Sequence, residues 1–192
     1  MLHTVQATVD VAQRALAEVH DLSVIRDKKH RALVSEARDE LIRGDEKQAL
    51  SFCLDALRIQ CSYEALSLAG TLCAILGDLE RSVGYTRKAI EISPDRADAY
   101  YDLATTLFDM GEPAEALPLL ERGVELLGSR DDDLVDFLWS ALIETLSELG
   151  FLEEAREALK EARTKTDDPL GLIEAAEEIL ETRCEKPSLR VL

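Results

Sequence analysis

The chain has 192 residues and a formal net charge of −17, with 39 acidic groups against 22 basic ones. A field of that sign repels nucleic acid and anionic lipid, so neither is an expected partner. Aromatic residues make up only 5% and runs of β-branched residues are absent, which excludes a sheet-built domain and leaves an all-α one.

Residues 2–22 open the chain with Val5, Val9, Ala12, Leu16 and Val19 in a 4-3-4-3 spacing, the narrow seam of an amphipathic helix. Two uses of that seam are open. It can cover the exposed face of the helices after it, making residues 1–29 a capping helix, or it can pair with a second copy to give a homodimer through residues 2–22. No glycine or proline occurs before Gly44, so this helix and the first repeat helix could run on without a clear break; if they turn, Asp21 and Ser23 are the favoured place. The start MLHTVQATVD lacks the basic end and apolar core of a signal peptide. Ala65–Leu76 is too short and too interrupted to span a bilayer. Cys53, Cys61, Cys73 and Cys184 show no C-x-x-C spacing. The expected compartment is the cytoplasm.

From residue 30 the chain repeats itself. Gly77 lies 33 residues after Gly44 and 34 before Gly111, which lies 39 before Gly150. Five residues after each glycine stands a small residue: Ala49, Ser82, Ala116 and Ala155. Twelve after stand Ala56, Ala89, Gly123 and Ala162; eleven before stand Leu33, Leu66, Tyr100 and Trp139. Seven before stand Ala37, Gly70, Ala104 and, larger, Ile143. Two helices per unit at this period describe a solenoid, with small residues where helices approach closely. The expected units are 30–62, 63–96, 97–130 and 136–167, and then a closing helix and tail over 168–192.

Local signals punctuate these units. Asp45 with Gln48 has the form of a capping box, and Asp78 is a second N-cap. Ser93-Pro94 reads as an N-cap and first helical residue, and Pro113 as another helix start. Pro118, inside the same helix, is expected to kink it. The three aspartates at 131–133 lack the alternate spacing and glycine of a calcium loop and read as an acidic helix start. Asp167-Asp168-Pro169 opens the last helix, which carries Leu172, Ala175, Ala176 and Ile179 on one face and Glu174, Glu177, Glu178 and Glu181 on the other.

These spacings resemble the tetratricopeptide repeat. The second unit supplies Gly70, Ser82 and Pro94, with Leu66, Ala69, Cys73 and Thr86 in the other places of the pattern. The third supplies Tyr100, Leu103, Ala104, Leu107, Ala116 and Leu120; the fourth supplies Trp139, Leu142, Leu146, Ala155 and Leu159. In the first, Leu33, Ala37, Ala49 and Cys53 fit, but Glu36 and Glu40 occupy apolar places. The resemblance implies a right-handed α-solenoid of antiparallel helix pairs whose first helices line a concave groove. It also implies a non-catalytic protein-interaction module. Some members hold a partner's terminal carboxylate through a lysine, arginine and asparagine clamp. Here the matching places hold Val34, Arg38, Leu68, Asp98 and Asp102, and asparagine is absent from the chain. Two acids there argue against that role.

The face away from the packing columns marks the candidate groove. It carries Val34, Arg38 and Leu41, then Ser67, Thr71 and Ala74, then Tyr101, Thr105, Phe108 and Asp109 beside Asp102. Ser140, Glu144, Ser147 and Glu148 continue it. Charge is graded along the chain: 9 basic and 10 acidic groups in residues 1–62, 6 and 12 in 63–130, 7 and 17 in 131–192. Aromatic rings flanked by carboxylates suit a protein or peptide partner that is basic or amphipathic. His3, His20 and His30 lie outside the best repeats. No phosphate loop, nucleophile elbow or metal-ligand spacing occurs, so neither catalysis, metal nor cofactor is expected.

Overall fold

A computed structural model describes the backbone of residues 2–127, 134–166 and 171–185, and the side chains among them from residue 19 to residue 183. Every regular element in those residues is an α-helix. The first, α1 (Leu2–Arg43), pairs with α2 (Glu46–Ile59). Two further pairs are α3 (Tyr63–Ile75) with α4 (Leu79–Ile92), and α5 (Ala97–Asp109) with α6 (Pro113–Leu127). A last pair, α7 (Leu134–Leu149) and α8 (Leu152–Lys165), precedes α9 (Leu172–Glu185). Helices α1 to α8 pack mainly on their neighbours in the chain, with smaller contacts of α1 on α3, α3 on α5 and α5 on α7, whereas α9 packs more on α7 than on α8. That is an all-α solenoid. No helix among the described residues is long and apolar enough to cross a membrane.

The four spaced glycines end α1, α3, α5 and α7. All have φ between 79° and 82°, a backbone that residues with a Cβ enter at a cost. Each end closes in the same way. At Gly111 the glycine N–H bonds the Phe108 carbonyl at 2.9 Å, and the Glu112 N–H reaches back to the Leu107 carbonyl at 2.9 Å. Gly44, Gly77 and Gly150 repeat this pair of bonds, which satisfies carbonyls that the ending helix leaves open. The next helix then starts from the following residue. Asp45 accepts from the Gln48 N–H at 3.0 Å and Asp78 from the Arg81 N–H at 3.3 Å. The return half of the capping box is not needed, because the Asp45 N–H already bonds the Glu40 carbonyl.

Small residues sit where the helices touch. Ala49, Ser82, Ala116 and Ala155 are all buried, as are Ala56, Ala89, Gly123 and Ala162. At Gly70 an added Cβ would stand 2.5 Å from Thr86 Oγ1, and at Gly123 one would stand 2.6 Å from Leu138 Cδ2. Ser82 departs from alanine because α5 supplies a partner: its hydroxyl lies 3.1 Å from that of Thr106. The large column is less uniform. Leu66 and Trp139 are buried, whereas Leu33 and Tyr100 are half-buried. The main core runs from Leu103 on α5 to Leu180 on α9 and includes Leu138, Trp139 and Ile143.

Three expectations need correction. First, α1 does not turn at Asp21 or Ser23; it is one 42-residue helix, and the Ser23 hydroxyl donates to the His20 carbonyl at 2.7 Å. Such a back-bond lets serine sit inside a helix. Residues 19–29, none of them buried, thus continue α1. Second, Ser93-Pro94 does not begin α5. The Ser93 N–H bonds the Ala89 carbonyl and so still belongs to the end of α4, and a turn through Pro94 and Asp95 leads to Ala97. Third, the buried face of α9 is Ile173, Ala176 and Leu180, leaving Ala175 and Ile179 exposed. Pro113 does begin α6, and the helix continues through Pro118. The acidic start at 131–133, the cap at 167–169 and the tail over 188–192 lie outside the described residues.

Candidate functional site

The first helices of the pairs contact one another, α1 on α3, α3 on α5 and α5 on α7. Thr71 on α3 and Asp102 on α5 are brought together across the seam. The Thr71 hydroxyl lies 3.3 Å from Asp102 Oδ2 but also 3.1 Å from the Ser67 carbonyl. One proton serves two acceptors, so the carboxylate is only partly satisfied. Burial pushes the Asp102 carboxyl up to about 6, opposed by the Thr71 hydroxyl and reinforced by the nearby charge of Asp98.

Asp98, one turn before Asp102 on α5, has a different fate. Burial opposes its ionisation, yet it is held below the ordinary carboxylate range by Arg96, which grips both its oxygens at 3.1 and 2.8 Å. The Arg96 guanidinium lies 4.6 Å above the centre of the Tyr63 ring. Asp98 is thus neutralised by its own chain. Asp102, Asp109 and Glu144 form no ion pair among the described residues.

Tyr101 stands half-buried beside these acids. Its ring centre lies 5.9 Å from that of Phe137 on α7, tilted by 59°. Its hydroxyl ionises less readily than usual, first because of burial and then because of the charges of Asp102, Glu144 and Asp109. Burial likewise raises the Glu144 carboxyl. Phe108, also half-buried, rests on the core that runs from α5 to α9. Thr105 is spent on its own helix, donating to the carbonyls of Tyr101 at 3.0 Å and Asp102 at 3.2 Å. Half-buried Tyr101, Asp102, Phe108 and Glu144, with the exposed Asp109, therefore make one aromatic and acidic patch.

The remaining candidates lie apart from it. Arg38, exposed on α1, lines a cleft of about 520 Å³ with Arg31, Glu64 and the buried His30, whose Nε2 lies 3.1 Å from the Ser62 hydroxyl. Glu148 is engaged within the fold, bonded to Arg183 of α9. Arg183 also approaches the Ser147 carbonyl at 3.5 Å. Val34, Ser140 and Ser147, expected to line the open face, are buried. On α7 the reason is α9, which packs over that helix.

Phe137, Arg96 and Arg183 were not read from the sequence as parts of this face. Phe137 stands thirteen residues before its turn glycine, where the other units hold Arg31, Glu64 and Asp98, so no column announces an aromatic.

The Asp102 carboxyl makes stability depend on pH. Its folded value lies near 6 against an ordinary 3.8, so between those limits the folded chain binds more protons than the unfolded one. Its contribution therefore falls as pH rises through that window. Asp102→Asn should stabilise the chain by about 1–3 kcal/mol at pH 7.5, with the gap closing towards pH 4. Urea denaturation of both proteins at the two pH values checks this, and a gap independent of pH would refute it.

Comparison with known proteins agrees with this architecture. Residues 75–129 match the family described as Tetratricopeptide repeat. Human tetratricopeptide repeat protein 36 is 42% identical over 67 residues, 35% of this chain and 35% of the relative, and the mouse protein matches over the same length. The alignment thus spans about a third of those relatives. Among solved structures, YrrB, described as a TPR protein with an unusual peptide-binding site, covers 80% of this chain and 80% of its own at 23% identity and a TM-score of 0.61. MamA from Desulfovibrio magneticus RS-1 covers 82% of this chain and 90% of its own, with 23% identity and a TM-score of 0.64. An O-GlcNAc transferase mutant from Thermobaculum terrenum aligns with 76% of this chain over 28% of its own, at 23% identity and a TM-score of 0.65. Residues 75–129 are thus similar to tetratricopeptide repeats, and the repeated columns, the glycine-closed helix pairs and the structural likenesses show the same helix-pair fold in the other described residues.

Proposed function

We propose that this chain is a non-catalytic adaptor, with a chaperone-like mode of holding, that grips a basic or amphipathic segment of a partner protein against the shared face of α3, α5 and α7. Its family serves protein–protein interaction and is generally without catalysis. The observation that carries the reading is Asp102: a largely buried carboxylate with a shared hydroxyl donor and, among the described residues, no ion pair. Removing such a group from water without a counter-charge costs stability, and perturbed acids of this kind gather at functional sites. A lysine or arginine from a partner would supply the missing charge. Tyr101 and Phe108 beside it offer apolar area for the same segment. A cytoplasmic location belongs to the same proposal.

Association should be steered by the acids and held by the rings. A synthetic helix-forming peptide bearing lysines and leucines is the probe, with its glutamate-for-lysine counterpart as control. Replacing Asp109 by serine and Glu144 by glutamine should slow association about three- to tenfold at low salt, while dissociation changes little. Phe108→Ala should mainly speed dissociation, provided its melting curve shows a folded chain. Screening acts over about 8 Å at physiological ionic strength, so the steering should fade as salt rises. Equal binding of the acidic peptide, or unchanged rates in the Asp109 and Glu144 variant at low salt, would overturn the proposal.

A second reading, self-association through α1, is favoured by one observation. The helix leaves the stack with Val19, Leu22, Val24 and Ile25 exposed.

A further inference from the structure

We infer that binding of the cationic segment is coupled to a proton: Asp102 holds one in the free chain under mildly acidic conditions and releases it to solvent when the segment docks. Resting on the adaptor function just proposed, the coupling adds its regulation, a loss of affinity on acidification.

The hydrogen bonds around Asp102 suit the protonated acid. Asp102 lies inside α5, where the helix takes the backbone N–H groups and leaves none to turn towards a side-chain carboxylate. Thr105 and Thr106, on the next turn, donate to its backbone carbonyl, at 3.2 and 2.8 Å. That leaves the Thr71 hydroxyl, 3.3 Å from Oδ2 and 3.1 Å from the Ser67 carbonyl. With Asp102 protonated, both contacts are made at once: its O–H donates to Thr71 Oγ1, and the Thr71 proton goes to the Ser67 carbonyl. With Asp102 ionised, one of the two acceptors goes short, and burial adds to the cost of the charge.

No neighbouring element offsets that cost. On α5 itself, the charge of Asp98 raises the Asp102 carboxyl further, and Arg96 is spent on Asp98. Opposite on α3 stand Thr71 and Ser67, which carry no charge. From α7 comes Glu144, a second acid, whose charge acts with that of Asp102 on the Tyr101 hydroxyl. On α4, Arg81 pairs with Asp78 and Arg87 with Glu115, and on α6 Arg122 pairs with Glu125. A lysine or arginine docking beside Asp102 supplies the charge that is missing, favours the ionised form and so expels the proton. Below about pH 6 the free chain then binds more protons than the complex, so affinity rises with pH through that value and levels off above it.

The probe is the lysine and leucine peptide, blocked at both ends so that none of its groups titrates between about pH 5 and pH 7.5. Affinity for the native chain should fall about five- to tenfold from the upper pH to the lower. Asp102→Asn should bind about tenfold more weakly than the native chain at pH 7.5 and within about twofold of it at pH 5. Calorimetric titrations at pH 6, in two buffers of different ionisation enthalpy, count the protons. The native chain should release about half a proton more per peptide than the Asp102→Asn variant. Protons from Glu144, whose carboxyl burial also raises, are common to both chains and drop out of the difference. A peptide that binds at neither pH overturns the adaptor function and the coupling together. A peptide that binds with equal proton release by the two chains, or with the same ratio of affinities at both pH values, overturns the coupling and leaves the adaptor function standing.

Discussion

Trp139→Ala should lower the unfolding free energy by about 3–5 kcal/mol. The ring is 5% exposed and lies on α7 within the core that joins α5 to α9. Leu138 and Ile143, both fully buried on the same helix, leave little freedom for collapse into the space. The cost is therefore the lost transfer of the indole plus that of the cavity. Glu121→Ala, on the exposed side of α6, should change stability by no more than about 0.5 kcal/mol. Denaturant unfolding of the two variants checks the pair. Equal effects would show that Trp139 does not anchor this core.

Trp139 was legible from its place eleven residues before a turn glycine, and so was most of the architecture. The glycine columns impose a left-handed residue at each helix end, a backbone requirement that side chains cannot disguise. The small columns impose close approach, which steric exclusion enforces at Gly70 and Gly123. Both constraints are local and recur, so their register survives variation elsewhere. Ser82 shows the limit of reading such a column by size alone. Its hydroxyl is tolerated only because Thr106, twenty-four residues on, brings a partner.

Boundaries without a steric marker were harder. Asp21 and Ser23 favour turns in general, but serine can bond back to its own helix, and no glycine or proline stops α1 there. Ser93-Pro94 has the composition of a helix start and serves as a helix end, because the N–H of Ser93 finds the Ala89 carbonyl before proline intervenes. In α9 two adjacent stripes are apolar, Leu172 with Ala175 and Ile179, and Ile173 with Ala176 and Leu180. Only packing against α7 selects the second. The candidate site suffered most from this. Tyr101, Asp102, Asp109 and Glu144 lie near one another, and the charges of the three acids all act on the Tyr101 hydroxyl. Glu148, Ser140 and Ser147 do not remain open, since α9 bonds or buries them. A closing helix adds cover to the face that a repeat pattern leaves free.

That cover is also the basis of the second large effect. Removing residues 168–192 takes away Ile173, Ala176 and Leu180, all buried among residues of α7 and α8. Burying an isoleucine or leucine side chain contributes about 1.5–3 kcal/mol each, and the apolar surface of α7 beneath them returns to water as well. The ordering of fourteen helical residues is no longer required, which offsets part of the loss. The Arg183 bonds to Glu148 and the Ser147 carbonyl disappear too, but the ion pair is exposed and the carbonyl contact is long at 3.5 Å, so both contribute little. A net loss of at least about 3 kcal/mol is expected, read as a lower unfolding midpoint or as aggregation through the uncovered face. Arg183→Ala in the full chain separates the causes, because it removes the ion pair and keeps the apolar cover. It should cost less than about 1 kcal/mol. Should the shortened chain keep the association state and the midpoint of the full chain, α9 is not a structural cover. The face of α7 beneath it would then be free to take part in partner binding, with Glu148 restored to the acidic patch.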